Sequence, residues 1–315
     1  MEPVYYGAEA IAKTLNFRAL IEHLRQAHRQ PPAAVERALM LHRMPSGTEN
    51  AFLIWPAWQH ERSLGIKIVT LFPDNQSMPA VQALYVLFDG TNGAVEALID
   101  GTELTYWKTA ADSALGADYL ARQDATTFLM VGAGHLAPFL IRAYREIRPG
   151  LKRVLVWNRT AAKAVQLAAT IGGSVRAEAV IDLEEAVAQA DIVCCATTSY
   201  QPLIHGQWLL PGTHLDLIGG YTPQMREAND EAVRRSRVFV DSRWFTVEHV
   251  GDLTQPISNG SLKREDVLGD LFDLSTGRVS GRQSENEITL FKSGGGAHLD
   301  LMTAQCIANA LKPLQ

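Results

Sequence analysis

Cysteine is scarce in this chain of 315 residues. Only Cys194, Cys195 and Cys306 occur, too few for a disulfide framework, and the adjacent pair sits in an apolar run that reads as core. No Cys/His spacing matches a metal site, so no metal is expected. No apolar run approaches the roughly 20 residues that cross a bilayer. The first residues, Met1-Glu-Pro-Val-Tyr-Tyr6, lack the basic and apolar segments of a secretory leader. The net charge is −5, which leaves no electrostatic footprint for nucleic acid or an anionic membrane. Internal repeats, low-complexity tracts, a Ser/His/Asp arrangement and paired carboxylates are also absent. The expectation is a cytoplasmic globular protein, long enough for two domains with sizeable cores.

Two patterns divide what is there. In the first 120 residues, Ala8 to His28 has helical spacing. Strand-like pieces follow at Ala38–Leu41, Ala51–Trp55, Ile66–Leu71, Ala83–Phe88 and Val95–Asp100, with turn signals between them such as Asp89-Gly-Thr-Asn-Gly93. This reads as an antiparallel sheet. Leu104 to Arg122 predicts a long helix leading onward. From Ala125 strands alternate with helices: Thr127–Val131, Arg153–Trp157, Ser174–Ala177, Ile192–Ala196, His214–Ile218 and Val238–Val240, with helices at Thr160–Ile171 and Leu183–Gln189 among the gaps. Such alternation predicts a doubly wound parallel sheet. His298 to Leu311 is helical again and is expected to return to the first domain.

The expected fold is therefore α/β: a Rossmann-type doubly wound parallel sheet inserted into an α+β domain with an antiparallel sheet. Residues 1–120 plus 293–315 form the discontinuous domain and 121–292 the inserted one.

The most specific chemistry lies in Phe128-Leu-Met-Val-Gly-Ala-Gly-His-Leu-Ala137. A strand running into Gly-x-Gly-x-x-Ala and a helix is a dinucleotide-binding turn. Gly132 makes the tight turn, Gly134 admits the pyrophosphate, and Ala137 lets the helix pack closely. The pyrophosphate would rest on N–H groups at the helix start, which assigns Gly132, Ala133, Gly134, His135 and Leu136 to the cofactor. The next strand ends in Asn158-Arg159-Thr160, where NAD-binding units usually place a carboxylate for the ribose 2′-hydroxyl. A guanidinium matches a phosphate instead, so NADP(H) is expected over NAD(H), with Asn158, Arg159 and Thr160 at the 2′-phosphate. Thr197, Thr198 and Ser199 follow another strand end, and Leu217-Ile-Gly-Gly220 a third. The hydroxyls, and the backbone at Ile218, suit the ribose and nicotinamide side.

Three cations lie in apolar surroundings in the first block: Arg37 at the head of Arg37-Ala-Leu-Met-Leu41, Lys67 in Gly65-Ile-Lys-Ile-Val-Thr70, and Lys108 in Tyr106-Trp-Lys-Thr-Ala-Ala111. A buried cation is costly unless paired or functional. From the residues alone each reads first as a strand-edge or interface residue, with a functional role as the alternative.

Together these segments resemble the ornithine cyclodeaminase/μ-crystallin family, over nearly the full length. The resemblance rests on Lys67-Ile-Val-Thr-Leu-Phe-Pro-Asp-Asn75, Lys108-Thr-Ala-Ala-Asp-Ser113, Val131-Gly-Ala-Gly134, Val156-Trp-Asn-Arg159, Leu210-Pro-Gly-Thr-His-Leu215, Pro223-Gln-Met-Arg-Glu227, Val238-Phe-Val-Asp-Ser-Arg243 and Phe291-Lys-Ser-Gly294. It implies a dimerising N-terminal domain with an inserted Rossmann domain, and imine or amino-acid redox chemistry with a nicotinamide cofactor. It also implies that Lys67 is the catalytic lysine, that Arg37 and Lys108 bind a substrate carboxylate, and that Ser293 belongs to the cofactor site.

Two departures sort the subfamilies. Lys108 stands where the family usually has arginine, keeping charge but losing the bidentate fork. Tyr221 stands where cyclodeaminases carry an aspartate. The expectation is an NADPH-dependent reductase of cyclic ketimines, converting Δ1-pyrroline-2-carboxylate to L-proline or Δ1-piperideine-2-carboxylate to L-pipecolate, acting as a homodimer. An ornithine cyclodeaminase using NAD, an alanine dehydrogenase, and a non-catalytic ligand-binding protein of the crystallin kind are the alternatives.

Overall fold

A computed structural model describes residues 3–311. The chain divides into two compact units, Met1–Lys108 with Gly296–Gln315, and Thr109–Gly295. The division falls within the helix Gly101–Leu120 and not after residue 120, so the last twelve residues of that helix group with the second unit.

The first unit is built on a seven-stranded sheet: β1 (Val4–Tyr6), β2 (Ala34–Val35), β3 (Ala38–Arg43), β4 (Glu49–Gln59), β5 (Ser63–Leu71), β6 (Val81–Asp89) and β7 (Val95–Asp100), in the order β1-β7-β6-β5-β4-β2 with β3 also on β4. The sheet is mixed rather than purely antiparallel, because β1 joins β7 in parallel. Three residues are too short a run for alternation to reveal such a strand. Along β5, Ser63, Gly65 and Lys67 are buried and alternate with half-buried neighbours, the period of two that puts them on one face. The expected single helix from Ala8 to His28 is two, Ala8–Thr14 and Phe17–Ala27. The break comes at Asn16, whose side chain accepts from Ala19 N–H at 2.9 Å, an N-cap that starts a new helix. The long helix expected from Leu104 starts earlier, at Gly101, with Asp100 accepting from Thr102 and Glu103 N–H.

The second unit holds eight strands: β8 (Thr127–Val131), β9 (Arg153–Trp157), β10 (Arg176–Ala179), β11 (Ile192–Cys195), β12 (His214–Leu217), β13 (Ser236–Val240), β14 (Val267–Asp270) and β15 (Ile288–Lys292). They order as β10-β9-β8-β11-β12-β15-β13-β14 and all pair in parallel. Parallel strands covered on both faces read as continuous apolar runs, and every residue of β8, β11, β12 and β15 is buried. Each fully buried Leu or Phe contributes about 1.5–3 kcal/mol. β10 begins two residues later than its sequence signal because Gly172-Gly173 extends the turn, with Gly173 at φ +92°. β14 follows the charged run Lys263-Arg-Glu-Asp266 and β15 the polar run Gly281-Arg-Gln-Ser-Glu-Asn-Glu287, and neither strand is expected from sequence.

Strand order reverses between β8 and β11, the topological switch point at whose carboxyl edge open α/β sheets bind ligands. Cys195 pairs with both Val131 and Leu217, and Leu217 with Lys292. The segments after β8, β11, β12 and β15 therefore lie side by side on that edge. Among the described residues, no helix is long and apolar enough to cross a membrane, and no group of three metal-ligating side chains converges.

Candidate active site

At the switch point, Gly132 leaves β8 at φ +110°, and a Cβ there would come within 2.5 Å of Ala196 O. Both facts require glycine. Gly134 faces open space, with nothing within 4 Å of where its Cβ would stand. The helix Ala137–Ile147 starts directly after, with Pro138 in its first turn and Ala137 buried, so the positive end of its dipole lies beside the turn. This cradle fits the pyrophosphate of a dinucleotide.

The second strand's end meets the turn. Gly132 N–H donates to Trp157 O at 2.8 Å, Ala133 N–H donates to Asn158 Oδ1 at 3.2 Å, and Asn158 Nδ2 donates to Thr160 O at 3.0 Å. Asn158 is thus a brace between turn and strand, and it occupies the Ala133 amide. Arg159 and Thr160 are exposed. Thr160 caps the helix Ala161–Thr170 without a side-chain hydrogen bond, leaving its hydroxyl available.

Several expected cofactor hydroxyls are committed elsewhere. Thr197 donates its N–H and its hydroxyl to Glu227 Oε1 at 2.7 and 2.8 Å. Ser199 donates to Gln201 O at 2.6 Å and closes its own turn. Ser293 donates its hydroxyl to Asp112 Oδ2 at 3.1 Å. Thr198 is exposed, and Ile218 is buried with its N–H on Cys195 O at 2.9 Å. Tyr221 is 68% exposed. All three cysteines are buried free thiols, and burial raises each above the ordinary thiol range.

In the first unit, Lys67 is buried with its Nζ 2.7 Å from Asp300 Oδ2, and Asp300 has no exposed surface. Trp55, Lys67 and Tyr85 form one register across β4, β5 and β6, so their side chains share a face. Lys67 Nζ stands 5.1 Å from the Trp55 ring centroid and Arg37 Cζ 5.9 Å from the same ring. Gly65 makes room below: a Cβ there would strike the buried Tyr85 hydroxyl. Burial holds the Lys67 ammonium below the ordinary lysine range; Asp300 opposes this, and Lys108 adds to it.

The structure therefore brings Arg37 and Lys67 to one aromatic face and sets Lys108 close enough to act on Lys67, with Lys67 and Lys108 buried and Arg37 exposed. Arg37 does not head a strand; it stands in the break between β2 and β3. Lys67 and Lys108 are not strand-edge residues, since both are buried. Asp300 escaped the sequence reading, although a lone aspartate in the buried run Ala297-His-Leu-Asp-Leu-Met302 is the signal of a charge that needs a partner. Glu227, Asp252 and Lys292, buried in the second unit, escaped it too.

The model of the ornithine cyclodeaminase/mu-crystallin family matches residues 1–313 of the chain. A Delta(1)-pyrroline-2-carboxylate reductase of Paracoccus denitrificans is 45% identical over 94% of this chain and 93% of its own. Among solved structures, Thermococcus litoralis Delta(1)-pyrroline-2-carboxylate reductase in complex with NADH and L-proline superposes with a TM-score of 0.89 at 28% identity, covering 98% of this chain and 97% of that one. An archaeal alanine dehydrogenase dimer with bound NAD has a TM-score of 0.88 at 25% identity, covering 98% and 96%.

Proposed function

Because the chain belongs to the ornithine cyclodeaminase/mu-crystallin family, we propose that it reduces cyclic ketimines with NADPH, taking Δ1-pyrroline-2-carboxylate to L-proline and accepting the six-membered Δ1-piperideine-2-carboxylate as well. The chain is an oxidoreductase of C=N bonds with a nicotinamide cofactor. The buried Lys67–Asp300 pair beside Lys108 carries the finer reading. An imine carbon accepts hydride readily only when its nitrogen is protonated. When bound, the cofactor supplies that hydride.

Lys67 has the position and the lowered proton affinity to hold the proton at the ring nitrogen, directly or through water. Arg37 and Lys108 supply positive charge for the substrate carboxylate. Asp300 keeps Lys67 oriented and charged until the imine arrives. The preference for NADPH rests on Arg159, exposed after β9 where an NAD site would carry a carboxylate,. The cofactor set in this reading is Gly132, Gly134, His135 and Leu136 at the pyrophosphate, Arg159 and Thr160 at the 2′-phosphate, and Thr198 and Ile218 at the ribose and nicotinamide side. Asn158, Thr197 and Ser293 support them. Tyr221, in place of the aspartate, argues against cyclodeamination.

A homodimer belongs to the same reading. Leu39, Met40 and Leu41 on β3, with Trp58 on β4 and Val81 on β6, are exposed apolar side chains that a second copy would cover.

The deciding experiment follows loss of reduced-nicotinamide absorbance with the five- and six-membered ketimines, each with NADPH and NADH. Rapid consumption of NADPH is expected, with slower use of NADH. Ammonia release from L-ornithine without net cofactor consumption would overturn the reductase reading.

A further inference from the structure

The carboxyl edge of the second unit carries buried charge that neither the glycine turn nor the lysine site uses. Glu227 is fully buried and takes three donors: Thr197 N–H and hydroxyl on Oε1 at 2.7 and 2.8 Å, and Gly219 N–H on Oε2 at 2.7 Å. One carboxylate thus joins the segments that follow β11 and β12. Asp252 Oδ1 accepts from Glu227 N–H at 2.8 Å, and its Oδ2 lies 3.3 Å from Lys292 Nζ. Lys292 is the last residue of β15. Three neighbouring strand ends therefore share two carboxylates and one ammonium, a net charge of about −1 when both acids are ionised.

Two glycines pass close to these acids. A Cβ on Gly219 would come within 1.8 Å of Thr197 O and 2.7 Å of Glu227 Oε1, and one on Gly220 within 2.7 Å of Asp252 Oδ2. Glycine at both positions brings the edge as near to the buried carboxylates as a chain can pass. A structural clamp alone needs no uncompensated charge, since burying charge is costly. The excess negative charge calls for a positive counterpart on the ligand side of that edge. An oxidised nicotinamide ring is cationic and a reduced one is neutral.

We propose that Glu227, braced by Asp252 and Lys292, is a positioning residue whose negative charge makes the cofactor site favour the oxidised, cationic nicotinamide over the reduced form. This rests on the reductase reading above. A field of that sign favours the form the cofactor takes after giving up its reducing equivalents, the direction of ketimine reduction.

Burial pushes the Glu227 carboxyl up to about 7, with Asp252 adding to the shift and Lys292 opposing it. The groups that act on it are Asp252 from the helix Gly251–Ser258, Lys292 from β15 and the Cys194 and Cys195 thiols from β11. Arg226, its chain neighbour, turns away to Ala228 O and Asp230. A proton on Glu227 removes the net charge, so the preference is expected to decline as pH falls through neutrality.

The test measures Kd for NADP+ and for NADPH on the full chain by titration calorimetry, comparing wild type with Glu227→Gln. Loss of one buried charge is expected to weaken NADP+ by about tenfold more than NADPH, at a moderate effective dielectric. A purely structural role weakens both in parallel, and an unchanged ratio overturns the proposal.

A second measurement needs no variant. In wild type, the ratio of Kd for NADP+ to that for NADPH is expected to rise severalfold from about pH 8 to about pH 6. Titration of the 2′-phosphate is common to both forms and cancels in the ratio. A constant ratio overturns the proposal, even if the variant does not fold. Failure of wild type to bind either form would overturn the NADPH preference on which the proposal rests, an outcome distinct from a flat ratio.

Discussion

Lys67 Nζ and Asp300 Oδ2 are 2.7 Å apart, and neither side chain reaches solvent appreciably. They come from β5 and from the helix Ala297–Leu311, 233 positions apart in the chain. A buried pair of this kind adds little net stability, but removing one partner leaves an uncompensated charge.

Asp300→Asn is accordingly expected to lower stability by roughly 3 kcal/mol, and adding Lys67→Met should recover most of it. Chemical denaturation of wild type, Asp300→Asn, Lys67→Met and the double variant checks this; additive losses would contradict the pairing. Because Asp300 raises the proton affinity of Lys67, the variant should also move the alkaline limb of the pH–rate profile to lower pH. Lys67→Ala should abolish turnover and leave NADPH binding nearly intact, measured by fluorescence titration.

Arg159→Glu should weaken NADPH by tenfold or more, about 1.4 kcal/mol or above, with a smaller change for NADH. Initial-rate kinetics with both cofactors separates the cases, and parallel losses would remove Arg159 from the 2′-phosphate.

Gly132→Ala places a methyl against Ala196 O at φ +110°. The expected cost is about 1–3 kcal/mol in stability, together with a loss of affinity for both cofactors alike. Thermal denaturation with and without NADPH tests it, since a lost cradle removes the ligand-induced rise in Tm.

Asp216 supplies a pH signature of folding. It accepts from the Tyr144 hydroxyl at 2.6 Å, yet burial raises its carboxyl to about 6. The folded state then holds this proton where the unfolded state has released it. Its contribution is fully present below the ordinary aspartate range and is lost as pH rises through about 6, by on the order of 2–3 kcal/mol. Asp216→Asn should flatten that part of the curve of stability against pH between about 4 and 6. An unchanged slope would show that another group is responsible.

The glycine turn after β8 was legible from sequence because its signals are local. Gly132, Gly134 and Ala137 stand at fixed spacing after an apolar strand, and at Gly132 the backbone itself, at φ +110°, requires glycine. The alternation of strands and helices after Ala125 was legible for the same reason, as was the placement of Arg159 at a strand end. Short elements were not: β1 has three residues and β2 two, below the length at which a period shows.

Local sequence determined which residues form the turn, which strands carry apolar runs and which cations stand in apolar surroundings. Tertiary structure alone decided their partners. Asp300 reaches Lys67, and Glu227 reaches both Thr197 and Gly219, only because the chain returns helices and loops to sheets laid down long before. A buried charge announces that it needs a partner, but Coulomb's law acts through space, and the partner's place in sequence carries no trace of the distance. The hydroxyls of Thr197, Ser199 and Ser293 show the converse. Their positions at strand ends were readable, and only the fold revealed that each already had an acceptor.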